Sequence, residues 1–442
     1  MKLRKKFCVL LATLLLIPLF SGCRFIVPDD SRLAVEPSFG RYGNPDDWGK
    51  DLDSAEEHPY ASELEELDTR AEGEFAVWEA DWTLDTAFTL DTELELPVAG
   101  ATGYAPVELF LWKDEPTTNA CKVASSPTKG TAPVSAVLYP GTAFMIIQES
   151  GDWWQVRTES RGDLGGKVGW VEHRYCFINL PDVIPSMVYN DTNSDSSVFM
   201  ASYTEIPKIT GKPLYNQSAM RNNTRLGREE YMMPVLYAMA KKVCKAQQNA
   251  LAAGNTIVLY EGYRPYATQM KVVNGVRSLA AVNAKVQAGI STYPWSISWF
   301  IATGVSNHQQ GYAMDVSLAK VYKSHVETID GYSFVQVDEY QEYFMPTPIH
   351  ELSMLACTYT APVNMFSDAW QSATMSASMS KNEPAKKLQA YCTMAGMSPL
   401  ASEWWHFNDL NAYQGTASRR SEGNFDISDC DCMSLPPSLV AG

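Results

Sequence analysis

Basic charge, long apolar runs and paired cysteines are all scarce in this chain of 442 residues. Eighteen of its 51 acids but only two of its 35 bases, Lys50 and Arg70, lie in residues 46–95, so the remainder balances at 33 of each. No basic face is left for nucleic-acid phosphates, which excludes nucleic-acid binding. The N-terminal apolar run, residues 7–20, is shorter than the ~20 residues of a spanning helix, and a polytopic membrane protein is excluded. Among nine cysteines no pair has the roughly two-to-four-residue gap of a zinc ribbon, which argues against a cysteine metal cluster. What the chain does have is 45% hydrophobic residues, enough to bury more than one core.

Met1-Lys-Leu-Arg-Lys-Lys6, the run 7–20 and Ser21-Gly22-Cys23 form the charged, apolar and small-residue parts of an export signal. Ser21-Gly22-Cys23 resembles a bacterial lipobox, with Phe20 where leucine is usual. The resemblance implies cleavage before Cys23 and a lipid on its thiol, which would hold the mature protein outside the cytoplasmic membrane. Seven cysteines then remain in an oxidising compartment. Cys121 with Cys176 is the favoured disulfide, and Cys430 or Cys432 could bridge to Cys244, Cys357 or Cys392.

Residues 24–103 read as an acidic, self-repelling linker, with 83–95 able to pack as a short strand. Across 104–185 short strands are expected at 107–112, 143–148, 153–157 and 167–171, separated by glycine turns, which suggests a small all-β barrel. The run from Gly141 through Trp153-Trp154 to Arg157, followed by Gly166-Lys-Val-Gly-Trp170-Val171, resembles bacterial SH3-like domains of cell-wall proteins. That resemblance implies a unit that binds peptidoglycan or docks beside a catalytic domain. Trp154 and Trp170 are expected in its core, as alternating aromatics fill small barrels. Deleting residues 104–181 is accordingly expected to spare turnover of small peptides.

Residues 186–442 mix helix and strand. A helical stripe of Leu236, Met239, Val243, Ala246 and Ala250 runs through 229–252 and closes at Gly254. A strand is expected at 256–260, a turn at Glu261-Gly-Tyr-Arg264-Pro265, a helix over 266–273 and a second strand at 312–318. Without repeated βαβ units, this is an α+β pattern with a largely antiparallel sheet.

Two of the six histidines have informative surroundings. In Ser306-Asn-His308-Gln-Gln-Gly311-Tyr-Ala313-Met-Asp315, an extended 312–318 puts Met314, Val316 and Leu318 on one face and Ala313, Asp315 and Ser317 on the other. Asp315 is thereby presented to a cavity or solvent, and the low surface at Gly311 and Ala313 lets the loop bearing His308 approach it closely enough to share one metal. In Glu403-Trp-Trp-His406-Phe407 a straight strand would put Glu403 and His406 on opposite faces, roughly 10 Å apart. Both serve one site only through a turn or bulge. A glutamate beside zinc suits a base, because the metal lowers a bound water's pKa towards ~7 and the carboxylate removes its proton. Read alone, the stretch also fits a core edge of Trp404, Trp405 and Phe407 with Glu403 as a surface acid. Arg264 brings an always-protonated guanidinium suited to developing negative charge, or else a turn arginine before proline.

Taken in order, the motifs around Arg264, around His308 and Asp315, and around Glu403 and His406 resemble the zinc D-Ala-D-Ala dipeptidases of the VanX type. The similarity spans 186–410 and includes Thr210-Gly-Lys-Pro-Leu-Tyr215. It implies the α+β fold shared by these dipeptidases, the D,D-carboxypeptidases and hedgehog domains. It further implies one zinc held by His308, Asp315 and His406, Glu403 as catalytic base, Arg264 stabilising the oxyanion and Ser306 touching substrate. Three protein ligands leave zinc a fourth position, the form of a catalytic site. Two departures stand out. The stretch from Asp315 to Glu403 is longer than in the free-dipeptide enzymes, and Met345-Pro-Thr-Pro-Ile-His350-Glu351-Leu352 offers only Glu351 as the acid for a dipeptide amine. Because free D-Ala-D-Ala is made in the cytoplasm, an exported chain is expected to trim D-Ala-D-Ala bonds in wall stem peptides. The alternatives are a cross-link endopeptidase and a non-enzymatic wall-binding lipoprotein. A lysostaphin-like site is disfavoured because the sequence has no His-x-His pair.

Overall fold

The computed structural model describes residues 95–115, 134–158, 164–190, 199–207, 220–223, 226, 228–329 and 332–425, all within one compact unit, Pro45–Gly442. The export signal with Cys23, the linker up to residue 94, Cys121, the 210–215 motif and Cys430-Asp-Cys432 lie outside the described residues. Among the described residues no helix is long and apolar enough to cross a membrane.

Seven N-terminal strands form an antiparallel sheet: β1 (Thr102–Tyr104), β2 (Leu109–Trp112), β3 (Val134–Leu138), β4 (Ala143–Ser150), β5 (Trp153–Thr158), β6 (Val168–Glu172) and β7 (Phe177–Asn179). Strands β2, β4, β5 and β6 are the four that residue alternation predicts. Gly151, at φ 55, turns β4 into β5 in a backbone conformation that a side chain would strain. Trp154 is fully buried, and Trp170 packs with Trp112 and Trp153 in a separate apolar cluster, so both fill core. The linker ends earlier than the composition suggests. Leu96, Val98 and Ala101 are buried, and β1 lies between β7 and β4, so the boundary expected at residue 104 falls inside a strand.

Five short strands follow: β8 (Val188–Tyr189), β9 (Met200–Ala201), β10 (Thr204–Glu205), β11 (Met220–Asn223) and β12 (Arg228–Tyr231). Next, β13 (Pro234–Leu236) pairs with β7 and becomes the eighth strand of the N-terminal sheet. The helix expected from residue 229 starts only at α1 (Tyr237–Ala252). Pro234 disfavours helix at the residue before it, and Leu236, at ψ 142, is still extended. From Met239 onward the predicted stripe is buried as expected.

The second sheet holds β14 (Asn255–Glu261), β15 (Ala313–Ile329), β16 (Tyr332–Glu342), β17 (Ser398–Leu400) and β18 (Glu403–Asn408). Its order is β17-β18-β15-β14-β8, with β16 on β15, and every pairing but β14–β8 is antiparallel. Beyond Val321, β15 pairs with β16 alone as a ribbon whose Tyr322 and Val326 are exposed, which is why no burial period announced it. Helices α2 (Tyr266–Val282), α3 (Ala284–Ser291) and α4 (Glu383–Met394) complete the layer; α2 runs nine residues past its expected end.

One contiguous apolar core runs from Leu96 to Ala412 and spans both sheets. The seam is also polar. Glu149 accepts from Trp154 Nε1 (2.9 Å) and from the Tyr237 hydroxyl (2.7 Å), tying β4 to α1. The expected disulfides are not made by the described cysteines: Cys176, Cys357 and Cys392 are buried free thiols and Cys244 is a half-buried one. Burial pushes the Cys176 and Cys392 thiols well up and that of Cys244 up to about 11, so they behave as small core hydrophobes.

Candidate metal centre

Register places the chemistry. Across three neighbouring strands Glu261 of β14 faces Asp315 of β15, which faces His406 of β18, a row of three titratable side chains on one face. A bulge between Leu259 and Glu261 makes the row: Tyr260 is the extra residue, and without it Tyr260 would oppose Asp315. On β18 the bulge that Glu403 and His406 require is present. Phe407 pairs with Pro399 and Glu403 with Leu400, so three residues intervene on β18 where none does on β17. Glu403 Oε2 thereby comes to 3.7 Å from His406 Nδ1.

His308 arrives from the loop before β15. Gly311 closes that loop at φ 75, and a Cβ there would lie 2.2 Å from Phe177, so β7 of the N-terminal sheet sits directly against it. The Gly311 carbonyl accepts from Leu236 N at 2.8 Å.

Both imidazoles are oriented by what they donate to. His308 Nδ1–H donates to the Gly262 carbonyl (2.7 Å) and His406 Nε2–H to Asn408 Oδ1 (3.0 Å). Asn408 is fixed in turn by Asn307 Nδ2 (2.7 Å), whose own oxygen accepts from the Tyr312 hydroxyl (2.6 Å). With those nitrogens protonated, His308 Nε2 and His406 Nδ1 turn lone pairs towards each other at 3.2 Å and towards Asp315 Oδ1 at 3.4 and 2.9 Å. Donors ~2.0–2.1 Å from a tetrahedral zinc stand about 3.3 Å apart, so the triangle has the size that zinc requires. All three residues are buried.

Charge makes the same demand. Glu261, Asp315 and Glu403 are buried carboxyls, and among the described residues Arg264 is the one buried guanidinium beside them. Fully ionised, the group carries two uncompensated negative charges, which a divalent cation would balance. Without a cation the strain shows in the titration. Burial pushes Glu403 up to about 8, more than His406 pulls it down. Burial would also raise Asp315, but with no cation present the facing imidazole nitrogens can take up protons and become donors, and the His308 charge with hydrogen bonds from His308, His350 and His406 holds its carboxyl well below the usual range. Burial lowers His308, whereas the hydrogen bond and charge of Asp315 overcome burial and raise His406.

The other side of Asp315 was only partly legible. Glu261, Asp315 and His350 also bring ligand-type atoms together, but Arg264 already supplies their cation. Its Nε (2.9 Å) and Nη2 both donate to Glu261 Oε2, Nη2 reaches Asp315 Oδ2 at 3.4 Å, and Nη1 donates to Gln269 Oε1 at 2.7 Å. Gln269 is aimed by its own bond to the Ala302 carbonyl, 2.8 Å. Four of the five guanidinium hydrogens are thus committed and one, on Nη1, remains. Ser306 is buried, its hydroxyl has no hydrogen-bond partner, and its backbone N–H donates to Gln309. Glu351 is not poised for an amine: its carboxylate accepts from Tyr203 N at 3.1 and 3.0 Å and holds the β9–β10 turn. Next to it His350, unremarked in the sequence, points Nε2 at Asp315 Oδ2, 3.1 Å away. A histidine within a proline-rich stretch with no ligand spacing gave no signal.

Compared with known proteins, the chain matches no family model and no curated protein.

Proposed function

We propose that the chain is a zinc-dependent D,D-peptidase, carried to the cell surface as a lipoprotein, that removes D-alanine from D-Ala-D-Ala ends of peptidoglycan stem peptides. The observation that supports this reading most is the convergence of His308 Nε2, Asp315 Oδ1 and His406 Nδ1 within 3.4 Å, with Glu403 beside them. The three would hold the metal. Zinc bound there would polarise a scissile carbonyl and lower the pKa of a water towards ~7.

The chain's own groups supply the rest. Glu403, buried 3.7 Å from His406 Nδ1, is placed to take a proton from an attacking water and hand it on to a leaving amine. Arg264, always charged and locked by Glu261 and Gln269, has one Nη1 hydrogen left for an anionic oxygen. The unpartnered Ser306 hydroxyl suits a substrate contact. A stem peptide, unlike a free dipeptide, presents no amine beside the scissile bond, which agrees with Glu351 being spent elsewhere.

The test is D-alanine release from a pentapeptide ending in D-Ala-D-Ala by the zinc-loaded protein and by Glu403→Gln. Glu403→Gln should keep zinc and lose activity by ~10²–10⁴-fold, the usual worth of a positioned base. Release by both proteins alike would remove Glu403 from the chemistry, and turnover of free D-Ala-D-Ala alone would make the protein a dipeptidase.

A further inference from the structure

Nothing in the reading above uses His350, yet its surroundings over-determine it. Its backbone sits at φ 63, left-handed and uncommon for a residue with a side chain. Its ring is buried and stacked on Phe199, with centroids 4.5 Å apart and planes 9° apart, and Trp405 lies perpendicular to it with centroids 6.0 Å apart. Its carbonyl accepts from Met200 N at 3.1 Å. A phenylalanine would make the same stack without burying polar nitrogens, and here Nδ1 is buried with no partner at all. Packing alone therefore does not account for an imidazole. The other nitrogen does: Nε2 lies 3.1 Å from Asp315 Oδ2 and 4.0 Å from Glu261 Oε2, so the proton belongs on Nε2 and is donated to Asp315.

Resting on the metal-site reading, we propose that His350 is a positioning residue for the metal. Its Nε2–H, with Arg264 Nη2, holds Oδ2 of Asp315, so that Oδ1 alone is turned to His308 and His406. A carboxylate pinned by one oxygen offers a single oriented ligand atom, and loss of such outer partners typically weakens metal binding by ~10–100-fold. The strained backbone is the means of placement, since it brings the ring back over Phe199, the same ring that Arg264 covers at 4.9 Å.

The experiment is zinc affinity of the full chain by competition with a chromophoric chelator, for the unmodified protein, His350→Phe and His350→Gln. His350→Phe keeps the stack and loses the donor; His350→Gln keeps an N–H donor. The expected result is ~10–100-fold weaker zinc binding in His350→Phe, largely restored in His350→Gln, with both folded by circular dichroism. Should His350→Phe not fold, His350→Leu takes its place with the same expectation. A folded apolar variant that binds zinc within twofold of the unmodified protein, or a glutamine variant as weak as the apolar one, overturns the proposal. If the unmodified protein itself binds no zinc, the metal-site reading has failed rather than this inference.

Discussion

The two oxygens of Asp315 face two clusters that both hold carboxylate and imidazole, and the clusters differ in where a balancing positive charge comes from. On the Oδ2 side a carboxylate and an imidazole, Glu261 and His350, surround a cation that the chain supplies itself, the Arg264 guanidinium. On the Oδ1 side two imidazoles and Glu403 surround no lysine or arginine among the described residues, and with Nδ1 of His308 and Nε2 of His406 protonated two lone-pair nitrogens meet at 3.2 Å. One cluster finds its balancing charge in a fixed guanidinium; the other has the lone-pair geometry of a site that would take its charge from a bound cation. A grouping of ligand-type atoms is thus a poor sign of a metal until the charge is counted.

The sharpest way to test that difference is to remove the cation of one cluster and a proposed ligand of the other. Arg264→Met leaves Glu261 buried and uncompensated, and should destabilise the metal-free protein by about 3–5 kcal/mol in chemical unfolding. His308→Gln should cost the metal-free protein far less but abolish the rise in Tm on adding zinc. Equal losses from the two substitutions in metal-free protein would erase the distinction.

A smaller effect comes from Gly311→Ala. The new Cβ would fall 2.2 Å from Phe177 at a position of φ 75, so either the loop or β7 must move. Zinc affinity should drop with the loop that carries His308, while the Arg264 cluster should keep its contribution to metal-free stability. For the same reason removal of residues 104–181 should not spare activity, contrary to the expectation from sequence: β13 and Phe177 brace the loop that carries His308 from the N-terminal sheet.

The smallest effect lies outside both clusters. His173 meets Trp154 and Tyr237 at the seam, and burial lowers its pKa below the ordinary 6.5. The unfolded chain therefore takes up the proton first, so this contribution is complete above 6.5 and fades as the pH falls towards the lowered folded value. Thermal unfolding of His173→Gln should show a shallower fall in Tm below that pH than the unmodified protein, with zinc affinity at neutral pH unchanged.

Much of the candidate metal site was legible because its parts are short-range signals. The strand period around Asp315, the small residues at Gly311 and Ala313, and the bulge demanded by Glu403 and His406 each follow from a few neighbouring residues. The row Glu261–Asp315–His406 was not legible, since it depends on strand register across more than a hundred residues and on one bulge at Tyr260. His350 was hidden for the same reason, its partner lying 35 positions away. The N-terminal strands were clear from alternation, but that β13 would complete their sheet from beyond residue 186 was not, because edge pairing leaves no mark on a three-residue segment.

Metal content decides whether the His308, Asp315 and His406 cluster holds zinc. The full chain, stripped and titrated with zinc, should bind one equivalent, and His308→Gln and Asp315→Asn should each bind none under the same conditions. An unmodified protein that binds no zinc, or variants that still bind one equivalent, would contradict the assignment of His308, Asp315 and His406 as its ligands.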